Sequence, residues 1–174
     1  MITRFGQSKS IFAAVTLLAT LAGCSGEPTT PEPTPEPTPE RTAIHRLFSQ
    51  PYGDHLYGTN PDEDAAGGYV LEAQNYFYLS AATAAGHVPL YRCFTASTHD
   101  HFLSTMQSCE GATNEGMLGY IATSQVAGTG PLYRLYRAGT GNTFYTLSAE
   151  EADNAVVQYS YAKQGITGYV YLTP

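Results

Sequence analysis

Tryptophan is absent, and basic residues are scarce: eight Lys and Arg face fifteen Asp and Glu, a formal net charge of −7. A surface that binds a phosphate backbone needs clustered basic side chains, so nucleic acid is excluded as a partner. The uncharged apolar run Ile11–Leu21 falls short of the roughly 20 residues that span a membrane. Also missing are a Ser/His/Asp order, a Cys/His pair, a Gly-rich phosphate loop and a zincin helix. The acidic pair Glu150-Glu151 sits at a helix start, where it serves the helix dipole better than glycosidase chemistry. The chain reads as a non-enzyme without a cofactor.

Cysteine is rare as well, and its three positions divide the chain. Arg4 and Lys9 precede the apolar run, which is the pattern of an export signal. The residues that follow, Leu21-Ala22-Gly23-Cys24, resemble the bacterial lipobox, where cleavage precedes a lipid-modified cysteine. Residues 1–23 are therefore expected to be a signal peptide and Cys24 a lipid anchor, each buried CH₂ of its acyl chains contributing about 0.8 kcal/mol. Membrane attachment through Cys24 in a bacterial cell envelope follows. Ser25 after the cysteine, rather than Asp, points to the outer membrane if the cell is Gram-negative. Six of the eleven prolines fall between Gly26 and Arg41, in a Pro-Thr-Glu tract with nothing apolar to bury. Residues 24–42 read as an extended stalk, able to hold a domain up to about 50 Å from the membrane.

Residues 43–174 form one β-rich domain with 14 tyrosines and internal repeats, about 43–79, 89–122 and 131–172. Ala43-Ile-His-Arg46-Leu-Phe48, Pro89-Leu-Tyr-Arg92-Cys-Phe94 and Pro131-Leu-Tyr-Arg134-Leu-Tyr136 align on arginine. Eight residues after each arginine stands Asp54, Asp100 or Asn142. Each unit closes on an aromatic strand: Tyr76-Phe-Tyr78, Gly119-Tyr-Ile121 or Gly168-Tyr-Val-Tyr171. Two short strands should open each unit, with Gly139 and Gly141 supplying positive φ in the third turn. Short helices are expected after Ser148-Ala-Glu-Glu151, a capping box, and after Asn60-Pro-Asp-Glu63. Units of about 40 residues cannot bury an apolar face alone, so they should share a pseudo-threefold core. A closed trefoil-like arrangement is expected, with a three-bladed propeller or prism as the alternative.

The pattern resembles a bacterial repeat known as a domain of unknown function, with the consensus Leu-Tyr-Arg-Leu-Tyr, Gly-Asp-His-Phe-Tyr-Thr and Gly-Tyr-Val-Tyr. The resemblance covers the whole globular part and is strongest in the third unit. It implies repeats in threes, often appended to secreted cell-wall hydrolases. That company implies carbohydrate or cell-wall glycan binding; a protein-interaction scaffold and an unrecognised hydrolase are the other readings. A monomer is expected.

Once Cys24 is acylated, Cys93 and Cys109 form an even pair in an oxidising compartment, which favours a disulfide. Cys93 stands in the apolar slot of Leu47 and Leu135, and Cys109 in the helix slot of Glu63 and Glu151. If Leu47, Cys93 and Leu135 face the core, Arg46, Arg92 and Arg134 must face outward or into gaps between units. A hairpin would set Arg46, Arg92 and Arg134 across from Asp54, Asp100 and Asn142, with His55, His101 and Tyr145 behind. These residues are either a framework of ion pairs or sugar-binding clusters, and their recurrence in every unit favours framework. His99-Asp100-His101 alternates, which would set both imidazoles on one strand face; a metal would need a third ligand, and none is assigned.

Overall fold

The computed structural model describes residues 40–174. The expected signal peptide, Cys24 and the stalk up to residue 39 lie outside the described residues.

Nine strands and one α-helix are present among the described residues. The first unit contains β1 (Arg41–Ser49), β2 (Asp54–Gly58) and β3 (Tyr69–Ser80). The second contains β4 (His87–Thr95), β5 (Asp100–Ser104) and β6 (Thr113–Ala122). The third contains β7 (Thr129–Arg137), β8 (Asn142–Thr146), α1 (Ala149–Tyr159) and β9 (Ala162–Tyr171). In every unit the first strand lies between the other two, antiparallel to both. The register repeats as well: Arg46 opposes Tyr57, Arg92 opposes Leu103, and Arg134 opposes Tyr145.

The hairpin turns explain that register. The residue before each Asp or Asn has a left-handed backbone: Gly53 (φ 66°), His99 (φ 54°) and Gly141 (φ 79°). Of the two glycines expected to supply positive φ in the third turn, only Gly141 does so. His99 is therefore a turn residue, and its ring stacks on Tyr52 at 3.5 Å between centroids. That placement corrects the expectation that His99 and His101 share a strand face.

The units meet through equivalent positions. Their third strands touch through the residue pairs Ser80–Tyr120, Ala122–Tyr169 and Tyr78–Tyr171. Their second strands pack on one another. Ile44, Leu90 and Leu132 from the first strands meet Leu79, Ile121 and Val170 from the third, all essentially inaccessible to water. Tyr57, Leu103 and Tyr145 complete this shared core. However, β2, β5 and β8 each pair on one side only, so the antiparallel sheet keeps free edges and does not close into a barrel. Barrel closure of the trefoil kind is thus not what these strands make.

Local cores sit farther out. Leu47 packs with Leu56 and Tyr69, and Leu135 packs with Phe144, Ala152 and Ala155 of α1. In the second unit the disulfide Cys93–Cys109, its Cα atoms 5.5 Å apart, takes the equivalent position and joins the shared core. Cys109 thus does the work of the apolar Ala152 rather than occupying the glutamate slot read from spacing. The expected helix of the first unit does not form. Asn60 Oδ1 accepts from the Asp62 amide at 3.0 Å, but Asp64 turns left-handed (φ 51°), leaving only a 3-10 turn at Ala65–Gly67. The third unit forms its helix, with Ser148 Oγ accepting from the Glu151 amide at 3.1 Å.

The disulfide closes a loop with a sequence separation of 16, whose removal costs about 3 kcal/mol in the chain-entropy picture. The double substitution Cys93→Ala/Cys109→Ala is expected to lower the unfolding free energy by about that much in denaturant titration. An unchanged midpoint would show that the bond adds nothing to the packing around it.

Candidate functional site

The recurring arginines stand one residue before Leu47, Cys93 and Leu135, so strand alternation turns them away from those buried side chains. They enter the seams between units. Arg46 Nη1 and Nη2 each lie 3.3 Å from a carboxylate oxygen of Glu151, on α1 of the third unit. Arg92 Nη1 lies 2.8 Å from Glu63 of the first unit. Arg134 grips Glu110 of the second unit through two bonds, 2.6 and 3.0 Å. Within their own units, Arg46 Nε reaches Glu72 at 2.7 Å and Arg92 Nε reaches Glu115 at 2.8 Å. The three side chains are only 10%, 15% and 20% exposed. Burial by itself would lower each guanidinium pKa, but Tyr57, Tyr76 and the two glutamates around Arg46, and chiefly the glutamates at Arg92 and Arg134, outweigh it and hold all three charged.

Asp54, Asp100 and Asn142 are not the arginines' partners, which corrects the eight-residue reading. The turn places them opposite Ser49, Thr95 and Arg137, at the far end of each hairpin. All three are buried, and the two aspartates reach the next unit instead. Asp54 accepts from Tyr69 Oη at 2.6 Å, from His101 Nδ1 at 2.7 Å and from the His101 amide at 3.2 Å. Asp100 accepts from the Thr143 amide at 2.6 Å and its hydroxyl at 2.9 Å. In the third unit the carboxylate is replaced by Asn142, whose buried Nδ2 has no partner. Two tyrosines add further clasps. The Tyr57 hydroxyl donates to the Tyr145 carbonyl at 2.7 Å and accepts from its amide at 2.9 Å. The Tyr145 hydroxyl does the same with Leu103, at 2.7 and 3.0 Å. Thus Arg46, Arg92, Arg134, Asp54, Asp100, His101, Asn142 and Tyr145 all lie within the frame. Among the described residues no three His, Cys, Asp or Glu side chains gather in a metal-binding group.

His55 is different, because it opens onto a cleft of about 740 Å³ between the first unit and α1 of the third. A continuous run of rings forms its floor. Phe48 and His55 are 4.7 Å apart, His55 and Phe144 4.8 Å, and Phe144 and Tyr161 5.9 Å, between centroids. Burial, and then the nearby Arg46 charge, depress the His55 pKa to about 3. Its 3.5 Å approach to Glu72 is therefore a contact between a neutral ring and a carboxylate, not an ion pair. The floor stays uncharged at any physiological pH. Glu72, Glu150, Asn154, Arg137 and Tyr159 supply polar and aromatic walls.

The capping box raises one wall of this cleft. Ser148 starts α1, and Glu151 turns its carboxylate toward Arg46 and the Thr146 hydroxyl instead of back to its own cap. A smaller hollow of about 300 Å³ marks the seam of the second and third units, lined by Glu110, Arg134 and Gln164. Sequence reasoning identified His55 but missed Phe48, Glu72, Arg137, Phe144, Tyr159 and Tyr161. The available signal was the helix of the third unit, the one place where a repeat gains an extra wall.

A family model described as a domain of unknown function (DUF5648) matches residues 28–113 and, a second time, residues 106–171. No curated protein and no solved structure matches the chain.

The frame predicts a pH signature. Burial raises the Asp100 pKa from 3.8 to about 6, despite the two Thr143 bonds that oppose the shift. A carboxyl whose folded pKa is raised contributes most below its unfolded value, and that contribution is lost as pH rises through about 6. Relative to Asp100→Asn, the wild type should lose on the order of 2 kcal/mol between pH 4 and pH 7. Denaturant titrations of both proteins across that range check this, and a flat difference would contradict it.

Proposed function

The chain belongs to the DUF5648 family, and on that premise we propose that it is an envelope-anchored extracytoplasmic module that binds carbohydrate, in particular cell-wall glycan. The observation that carries this reading is the uncharged aromatic floor from Phe48 to Tyr161, bordered by planar polar groups. Ring faces suit the C–H faces of pyranoses, and a few placed carboxylate, amide and guanidinium groups suit their hydroxyls. Export, lipidation of Cys24 and the stalk complete the proposal, placing a monomeric domain at a membrane surface. Equivalent contacts at all three seams support a pseudo-threefold repeat of prism type.

Binding without chemistry fits the cleft better than hydrolysis. Glu72 and Glu151, two of the carboxylates lining the cleft, are both engaged with Arg46. A scaffold role has one observation in its favour: Val157 on α1 is 82% exposed, close to the exposed Tyr159.

Tyr159 stands 58% exposed at the cleft wall, so Tyr159→Ala removes an aromatic surface without opening the core. On a glycan array and in a peptidoglycan pull-down with the full chain, the wild type should bind. Tyr159→Ala should weaken binding about tenfold, the loss expected for truncating an aromatic anchor, with an unchanged melting temperature. Wild-type binding to neither surface would overturn the reading.

A further inference from the structure

The floor of the cleft is neutral, but two of its wall residues carry charges that no other side chain pairs. Among the described residues, every other basic side chain is engaged. Arg41 donates to the carbonyls of Thr173 and Pro174. Arg46, Arg92 and Arg134 hold glutamates, and Lys163 holds Asp153. Arg137 alone has a guanidinium without a hydrogen bond or ion pair, and it lines the cleft beside Tyr161. Glu150 likewise has a carboxylate without a partner, on the first turn of α1 in the same cleft. The two do not bridge each other, although they share the cleft. This separates them from Glu72 and Glu151, which both pair with Arg46.

A ligand that covers two ionised groups must replace the water they lose. An uncharged sugar lying on the ring floor would offer both only neutral hydroxyls, weaker partners for an ionised group than an opposite charge. An anion alone would meet Arg137 but be repelled by Glu150 and by a domain already rich in acid; a cation alone would face the converse at Arg137. A ligand with one anionic and one cationic group beside an apolar ring face satisfies all three features. Resting on the carbohydrate reading, we infer that the cleft takes a saccharide bearing an amino-acid or short-peptide substituent. Arg137 pairs with its carboxylate, Glu150 with its ammonium, and the rings from Phe48 to Tyr161 stack on the sugar. One such ligand binds per chain, because only the third unit forms the α-helix that raises this wall.

Isothermal titration of the full chain with three probes tests the inference. The probes are chitotetraose, N-acetylmuramyl-L-alanyl-D-isoglutaminyl-L-lysine, and the same tripeptide without sugar. The conjugate should bind at one per chain, about tenfold or more tighter than either other probe, the effect of one charge-assisted bond. Arg137→Gln and Glu150→Gln should each bring the conjugate down toward the level of chitotetraose, whereas Lys163→Gln, away from the cleft, should not. Melting temperatures confirm that all three variants fold. If chitotetraose binds as tightly as the conjugate, the inference is wrong and the carbohydrate reading stands. If the free tripeptide matches the conjugate, the saccharide contribution is wrong. If no probe binds, both readings fall.

Discussion

Each unit of this domain is held to the one before it by an arginine on its first strand that reaches a glutamate across the seam. Arg92 reaches Glu63, Arg134 reaches Glu110, and Arg46 closes the circuit on Glu151. Such pairs on an open surface contribute little. Here the guanidiniums are largely shielded, and removing one partner would leave a partly buried charge without its counter-charge. The rest of the frame depends on that geometry. Asp54 and Asp100 reach the opposite way, into the following unit, so two of the three seams are tied in both directions. At the third seam Asn142 replaces the aspartate, and there the cleft opens.

The hairpins, the apolar slots of Leu47, Cys93 and Leu135 and the capped helix were legible in the sequence because each rests on local spacing, and the disulfide because two cysteines remain beyond Cys24. Strand alternation also told correctly that the arginines turn away from the core. Their partners were not legible. A count of eight residues ignores where a hairpin turns, and the left-handed residue before each Asp or Asn puts that side chain at the end of the strand. The glutamates that do bind the arginines come from the neighbouring unit, and no spacing within one repeat can reveal them. The helix of the first unit failed because Asp64 leaves the helical basin, which its capping residues could not announce.

The candidate site escaped the sequence for a related reason. Repetition draws attention to what recurs, and what recurs here is framework. The cleft is made from departures: a helix in one unit, Tyr161 packed beside it, and Phe144 meeting His55 from the first unit. His55 was singled out as a member of the recurring set, but its role comes from the seam it borders. Burial keeps its ring neutral, which turns a titratable residue into part of an aromatic surface. One structural scaffold thus carries one differentiated seam.

A double-mutant cycle on Arg134 and Glu110 tests most directly whether these pairs tie the units together. Arg134→Ala, Glu110→Ala and the double variant should be compared with the wild type by denaturant unfolding. Discounted for its partial exposure, this two-bond pair should show a coupling of about 1 kcal/mol. Additive losses, with no coupling between the two positions, would contradict the account.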